Sequence, residues 1–268
     1  MKKFLLFFSI LISLFLIWIY SHIPSESQIK GCIMTTMFDV DLCPKSASYT
    51  PLRNISSYLQ KAIISTEDGK FYSHHGFDSD GIENCLEKIK EKKKFVCGGS
   101  TISQQLAKNM FLSKNKNLTR KGIEALITMK IENTIGKREI LEKYLNIVQF
   151  GKNIFGVKKA AQFYFKKSPG ELDVVESAFL AMVLPSPEKY SQSYYRKDLT
   201  KFARRRITNI INNMYQFKMI SETDHSNGIA RIDSFLQRGN ANANALRVET
   251  NTKYENLTEE QLDEMVRE

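Results

Sequence analysis

Cysteine and histidine are scarce in this chain of 268 residues, four of each. No C-x-x-C pair occurs and no histidine is spaced to complete a tetrahedral set, which excludes a structural zinc site of the usual kind. Helix-turn-helix logic and an RNA-binding aromatic motif are also absent, so the net charge of +10 does not argue for nucleic acid. No series of alternating strands competes with the helical periodicity, and the expected fold is mainly α. Proline is sparse, and three of the six, Pro24, Pro44 and Pro51, fall between residues 21 and 54 with many Ser and Thr. That stretch reads as a linker or a small irregular element.

Long apolar runs are limited to the amino end, where Lys2 and Lys3 precede an apolar stretch from Phe4 to Tyr20, broken only by Ser9 and Ser13. As a helix it spans roughly 25 Å, slightly short for a bilayer. No small-x-small site follows Trp18-Ile19-Tyr20, so an uncleaved anchor is expected over a cleaved signal peptide. The two lysines keep the amino end in the cytoplasm, and the rest of the chain is expected outside the inner membrane. In that setting the local pairs Cys32 with Cys43 and Cys85 with Cys97 favour disulfides, with connectivity left open. The surplus of positive charge suits lipid head groups or diphosphates. Its densest clusters, Lys88 to Lys94 and Arg204-Arg205-Arg206, each read singly as solvated faces.

The stretch Gly98 to Asn109, GGSTISQQLAKN, predicts a helix start, with Thr101 and Gln104 forming a capping box. Unpaired amides and the positive dipole end favour an anion there. Gln104, Gln105, Lys108 and Asn109 form a polar face, opposite Ile102, Leu106 and Met110. Upstream, a stripe of Ile55, Leu59, Ala62 and Ile63 leads into the polar cluster Glu67, Asp68, His74, His75 and Asp78. Downstream, a helix from about Leu118 buries Ile123, Leu126, Ile127, Ile131 and Ile135. Arg120 and Lys121 lie four and three residues before Glu124 on its other face.

GGSTISQQLAKN closely resembles the second signature motif of the peptidoglycan glycosyltransferases, which occur alone or as the first domain of bifunctional penicillin-binding proteins. EDGKFYSHHGFD (67–78), RKGIEA (120–125), KREILEKYLNIVQFG (137–151) and the segment from Ile154 to Ser191 resemble the first, third, fourth and fifth motifs. The likeness runs from about Ile63 to about Met214. It implies a lysozyme-like domain over residues 55–220, after an anchor at 1–22 and a linker at 23–54, with a tail of unknown role at 221–268. It also implies polymerisation of lipid II by inverting transfer from an undecaprenyl-diphosphate-linked donor to the 4-hydroxyl of an acceptor disaccharide. The implied general base is Glu67, with Asp68, Phe71 and His74 in support and Phe71 offering the apolar surroundings that raise a carboxyl pKa. Glu124 is the second active-site carboxylate. Ser100, Thr101, Gln104, Gln105, Lys108, Asn109, Arg120 and Lys121 would bind substrate and diphosphate. Tyr144, Asn146, Phe150 and Gly151 are expected to pack.

The same likeness allows a divalent ion, Mg or Mn, with the diphosphate, and other cell-wall synthesis proteins as partners of a single-pass protein of the bacterial inner membrane. Residues 81–97 are the least family-like. Two S-x-x-K stretches, at Ser113 and Ser186, stand without any K-T-G, so no transpeptidase is expected. A lysozyme-like enzyme that cleaves glycan, and an inactive scaffold binding lipid-linked glycan, are the rival readings.

Overall fold

The computed structural model describes residues 2–35, 40–93, 99–113 and 118–236. In chain order its helices are α1 (Lys2–Ser21), α2 (Glu26–Lys30), α3 (Ser57–Glu67), α4 (Ser79–Lys92), α5 (Ile102–Phe111), α6 (Leu118–Thr134), α7 (Lys137–Ile147), α8 (Val157–Phe165), α9 (Val174–Val183), α10 (Pro187–Tyr190), α11 (Gln192–Arg196), α12 (Lys201–Gln216) and α13 (Glu222–Ala230). Two short antiparallel hairpins accompany them. β1 (Ile33–Met34) pairs with β2 (Asp41–Leu42), and β3 (Gln149–Gly151) pairs with β4 (Ile154–Phe155). The mainly α expectation holds, and α1 is long and apolar enough to cross a membrane.

Every residue of α9 is buried. A helix apolar around its whole circumference must be enclosed, and α3, α12, α13 and α10 pack against it. Its one acid, Glu176, completes a capping box with Asp173, and Lys167 Nζ lies 2.8 Å from both of its carboxylate oxygens. A second group places α5 against α6 and α7. Of the ten residues in α5, only Gln105, Lys108 and Phe111 are partly exposed; the others are buried. The spacing of Gln105, Lys108 and Phe111 puts them on one narrow face.

Two expected boundaries move. The stretch 23–54, expected as a linker, is packed into the domain. Ile29, Ile33, Leu42, Tyr49 and Leu52 are buried, and Cys32 is disulfide-bonded to Cys43. The α7 helix holds it: Glu142 accepts from Tyr49 Oη and Leu52 N, Asn146 exchanges two hydrogen bonds with Thr50, and the buried Lys143 ammonium donates to Gly31 O. Burial lowers the pKa of that ammonium. At the other end, the tail expected beyond residue 220 continues the core through α13 and on to Phe235, whose ring lies 5.6 Å from Phe179 and 6.3 Å from Phe165. Its low-complexity part, 240–245, and the cap expected at Thr258 and Gln261 lie outside the described residues. So do Cys97 and Gly98, while Cys85 is itself disulfide-bonded.

Candidate active site

The last residue of α3 is Glu67, and Asp68 ends the helix, its N–H returning to Ile64 O. Chain direction reverses through a turn whose Gly76 has φ +90°, a conformation that side chains disfavour, and a Cβ there would press on Thr128 and Glu132. Thr101 Oγ1 donates to Gly76 O at 2.7 Å, which fastens the turn to the start of α5. The first and second sequence motifs therefore meet at one place.

Asp68 is buried and fully engaged. Its Oδ2 accepts from Ile102 N at 2.9 Å, and its Oδ1 lies 2.9 Å from His74 Nε2. Because His74 Nδ1 accepts from Gly76 N at 3.1 Å, the proton sits on Nε2 and is donated to Asp68. The supporting roles expected of Asp68 and His74 are structural in this sense. At the α5 N-terminus the chain's own Asp68 carboxylate accepts from Ile102 N, and with the capping box formed Thr101 N and Gln104 N are paired as well. Gln104 and Asn109 are buried at 5% and 6% exposure, because α5 is covered on all but one narrow face.

Glu67 is half-buried and lines a cavity of about 130 Å³ with Thr66, Asp68, Gly69, Asp78, Gly81, Ile82, Gly99, Ser100 and Thr101. Gln105 Nε2 donates to Glu67 Oε2 at 2.9 Å, and Gln105 Oε1 accepts from Tyr144 Oη at 3.0 Å. Burial pushes the Glu67 carboxyl above its ordinary pKa, against the opposing pull of Gln105, Arg206 and Lys108. Phe71 is buried with its ring against Tyr72 and His74 and the Lys137 ammonium over its face. The aromatic joined to Glu67 through Gln105 is Tyr144, expected only to pack.

On α6, Glu124 is 2% exposed. Arg120 Nη1 donates to its Oε2 at 3.1 Å, Lys121 Nζ bonds its other oxygen, and Lys121 also reaches Ser100 Oγ at 3.4 Å. Lys108 completes the group: burial lowers its ammonium pKa, the Glu124 carboxylate opposes this, and Arg120, Lys121 and Glu67 act on it in turn. The arrangement is a half-buried carboxylate on one side and, on the other, a buried carboxylate paired with Arg120 and Lys121, with the Lys108 ammonium in electrostatic reach of both. Such a pairing serves proton removal from a hydroxyl next to a departing anion.

Sequence reasoning missed Arg206 and undervalued Tyr144. Arg206 lies in a run of three arginines that reads as solvated, yet it is four residues from Phe202 and from Ile210, both on the buried stripe of α12. That spacing was the available signal. A larger groove of about 860 Å³ lies between β2 and α8, lined by Lys158, Lys159, Lys166 and Lys167. Among the described residues no carboxylate lines it, whereas Glu67, Asp68 and Asp78 line the smaller cavity.

A family model described as Transglycosylase matches residues 35–215. The chain is similar to a biosynthetic peptidoglycan transglycosylase of Methylobacillus flagellatus, 38% identical over 203 residues, which are 73% of this chain and 89% of that one. Proteins of the same description are 48% identical in Aromatoleum aromaticum, over 54% of this chain and 64% of the relative, and 46% identical in Acinetobacter baumannii, over 59% and 70%.

Proposed function

The chain belongs to the transglycosylase family, and from that premise we propose that it polymerises lipid II into peptidoglycan strands with Glu67 as the base of an inverting transfer. The observation that carries the assignment of residues is that Ser100 lines the cavity holding Glu67 and accepts from Lys121, which is paired with Glu124, so the base and the cation group share one site. As the 4-hydroxyl oxygen of the acceptor bonds to the anomeric carbon of the donor, its proton passes to the Glu67 carboxylate. The bond from that carbon to the lipid diphosphate breaks, and the electron pair leaves on the diphosphate. Lys108, Arg120 and Lys121 meet the charge that develops there. Glu124 holds Arg120 and Lys121 in place, and Ser100 orients Lys121.

Among the described residues no group of three or more His, Cys, Asp or Glu is placed to hold a metal ion. A divalent ion, Mg or Mn, arriving with the substrate diphosphate would add to the positive charge of Lys108, Arg120 and Lys121 at the leaving group, and no step here is routed through it. The apolar α1 supports a single-pass anchor in the bacterial inner membrane, with the domain on the periplasmic side beside its lipid-linked substrate and the other cell-wall synthesis proteins of that compartment.

A glycan-cleaving enzyme releases a sugar alcohol and has no use for three cations at the leaving group. Lipid II polymerisation and digestion of purified sacculi, run side by side, separate the two chemistries. The wild type is expected to make polymer and release no muropeptide. Glu67→Gln should lose roughly 10²- to 10⁴-fold in rate with substrate binding retained. Digestion without polymer would falsify the transferase reading, and neither activity would leave the scaffold.

A further inference from the structure

Tyr144 is completely buried on α7, yet its hydroxyl is turned toward the site rather than into the core. Burial and the nearby Glu67 and Asp68 carboxylates hold the phenol pKa far above neutrality, so the hydroxyl keeps its proton and can donate. It donates to Gln105 Oε1 at 3.0 Å, and the same amide presents Nε2 to Glu67 Oε2 at 2.9 Å. An amide side chain has two faces of opposite polarity that are nearly equal in shape. If Gln105 flipped, its carbonyl would face the Glu67 carboxylate and the Ser100 carbonyl, both of which repel it, and the Tyr144 hydroxyl would have to turn from donor to acceptor.

We propose that Tyr144 is a positioning residue that acts through Gln105, locking the amide so that only its N–H₂ faces Glu67 and holding that carboxylate in one orientation. The proposal rests on Glu67 being the base. Only the Tyr144 hydroxyl is needed for it, because the ring packs whether or not the hydroxyl is present. The Glu67 carboxylate is also faced by Arg206 from α12, Lys108 from α5 and Asp68 from the end of α3. Each of these is unchanged when the hydroxyl is removed, so a change in the behaviour of Glu67 reports on the amide.

The sign follows from the donor. Gln105 N–H₂ stabilises the ionised carboxylate, so releasing the amide moves the Glu67 pKa further up. The base must be ionised to work, and the acid limb of the rate profile moves to higher pH. The test compares full-length wild type, Tyr144→Phe, Gln105→Leu and the double variant in lipid II polymerisation across pH 5 to 9. Tyr144→Phe should shift the acid limb of kcat/KM upward by about one unit, roughly tenfold in rate on the acid side, and recover much of its activity at high pH. The double variant should be no worse than Gln105→Leu alone, since the two act in series.

A purely structural role predicts a lower melting temperature with a limb that stays in place, and that outcome, or losses that multiply in the double variant, overturns the proposal. Should Tyr144→Phe not fold, Gln105→Leu alone must still show the shift, and an unmoved limb breaks the link to Glu67. A wild type that makes no polymer sinks the assignment of the reaction instead. The two failures are therefore distinct.

Discussion

An ionised carboxylate partly withdrawn from water at the end of α3 works against folding, and Glu67 is such a group. Its folded pKa is raised above the unfolded value, so between the two the folded state binds more protons. The stability contributed by its neutral form is fully present below the unfolded pKa and is lost as pH rises through the folded one. Glu67→Gln, neutral at every pH, should therefore melt higher than the wild type at pH 7, by about 2–4 °C for each kcal/mol recovered in a domain of this size. The two proteins should melt together near pH 4. A calorimetric comparison at both pH values checks this, and a lower melting temperature for Glu67→Gln at pH 7 would contradict it. Under the proposed role of Glu67 as base, stability is given up for function at this residue.

At the scale of elements, α5 is the hinge pin of the site, and its start is secured from two directions. The capping box of Thr101 and Gln104 is local. The second fastening comes from another part of the chain, where the buried Asp68 carboxylate accepts from Ile102 N. Asp68→Ala removes an ionic acceptor from a buried N–H and also leaves His74 without its partner, so it should lower stability by about 2–3 kcal/mol. Asp68→Asn keeps an oxygen for Ile102 N and should lose roughly half as much. Urea melts of the three proteins measure the ranking. Equal stability of Asp68→Ala and wild type would mean that the α5 N-terminus does not depend on this carboxylate. The same comparison explains why only part of the site was legible. S-x-x-E/Q spacing is read within four residues, whereas Asp68 and Ile102 are brought together by a reversal at Gly76 that spacing does not encode.

The whole domain is closed by its two ends. Residues 23–54 are tied to α7 by Glu142, Lys143 and Asn146, and the chain after residue 220 returns through α13 to place Phe235 on Phe165 and Phe179. Arg231 adds an ion pair with Asp173, the cap of the central α9. Phe235→Ala leaves a cavity beside that helix and should destabilise by about 3–5 kcal/mol, although it is far from Glu67 in the sequence. The residual folded protein should keep its turnover per molecule. Guanidinium unfolding together with active-site titration separates the two quantities. A midpoint unchanged by the substitution would show that the C-terminal segment is not part of the core.

Local chemistry alone determined the apolar α1, the helical periods, the capping box at Thr101 and the grouping of Arg120, Lys121 and Glu124 on one helix. These depend on residues three or four apart, and a helix brings such neighbours together whatever surrounds it. The tertiary structure decided how accessible each polar residue is and which distant residues meet it. It buried Gln104 and Asn109, left Gln105 and Lys108 open, turned Asp68 into a cap, and brought Tyr144 and Arg206 to Glu67 from helices that begin 70 and 134 residues after it. Those contacts depend on how α5, α7 and α12 pack, and packing is settled by burial of whole helix faces around α9 rather than by the few polar residues that share the site.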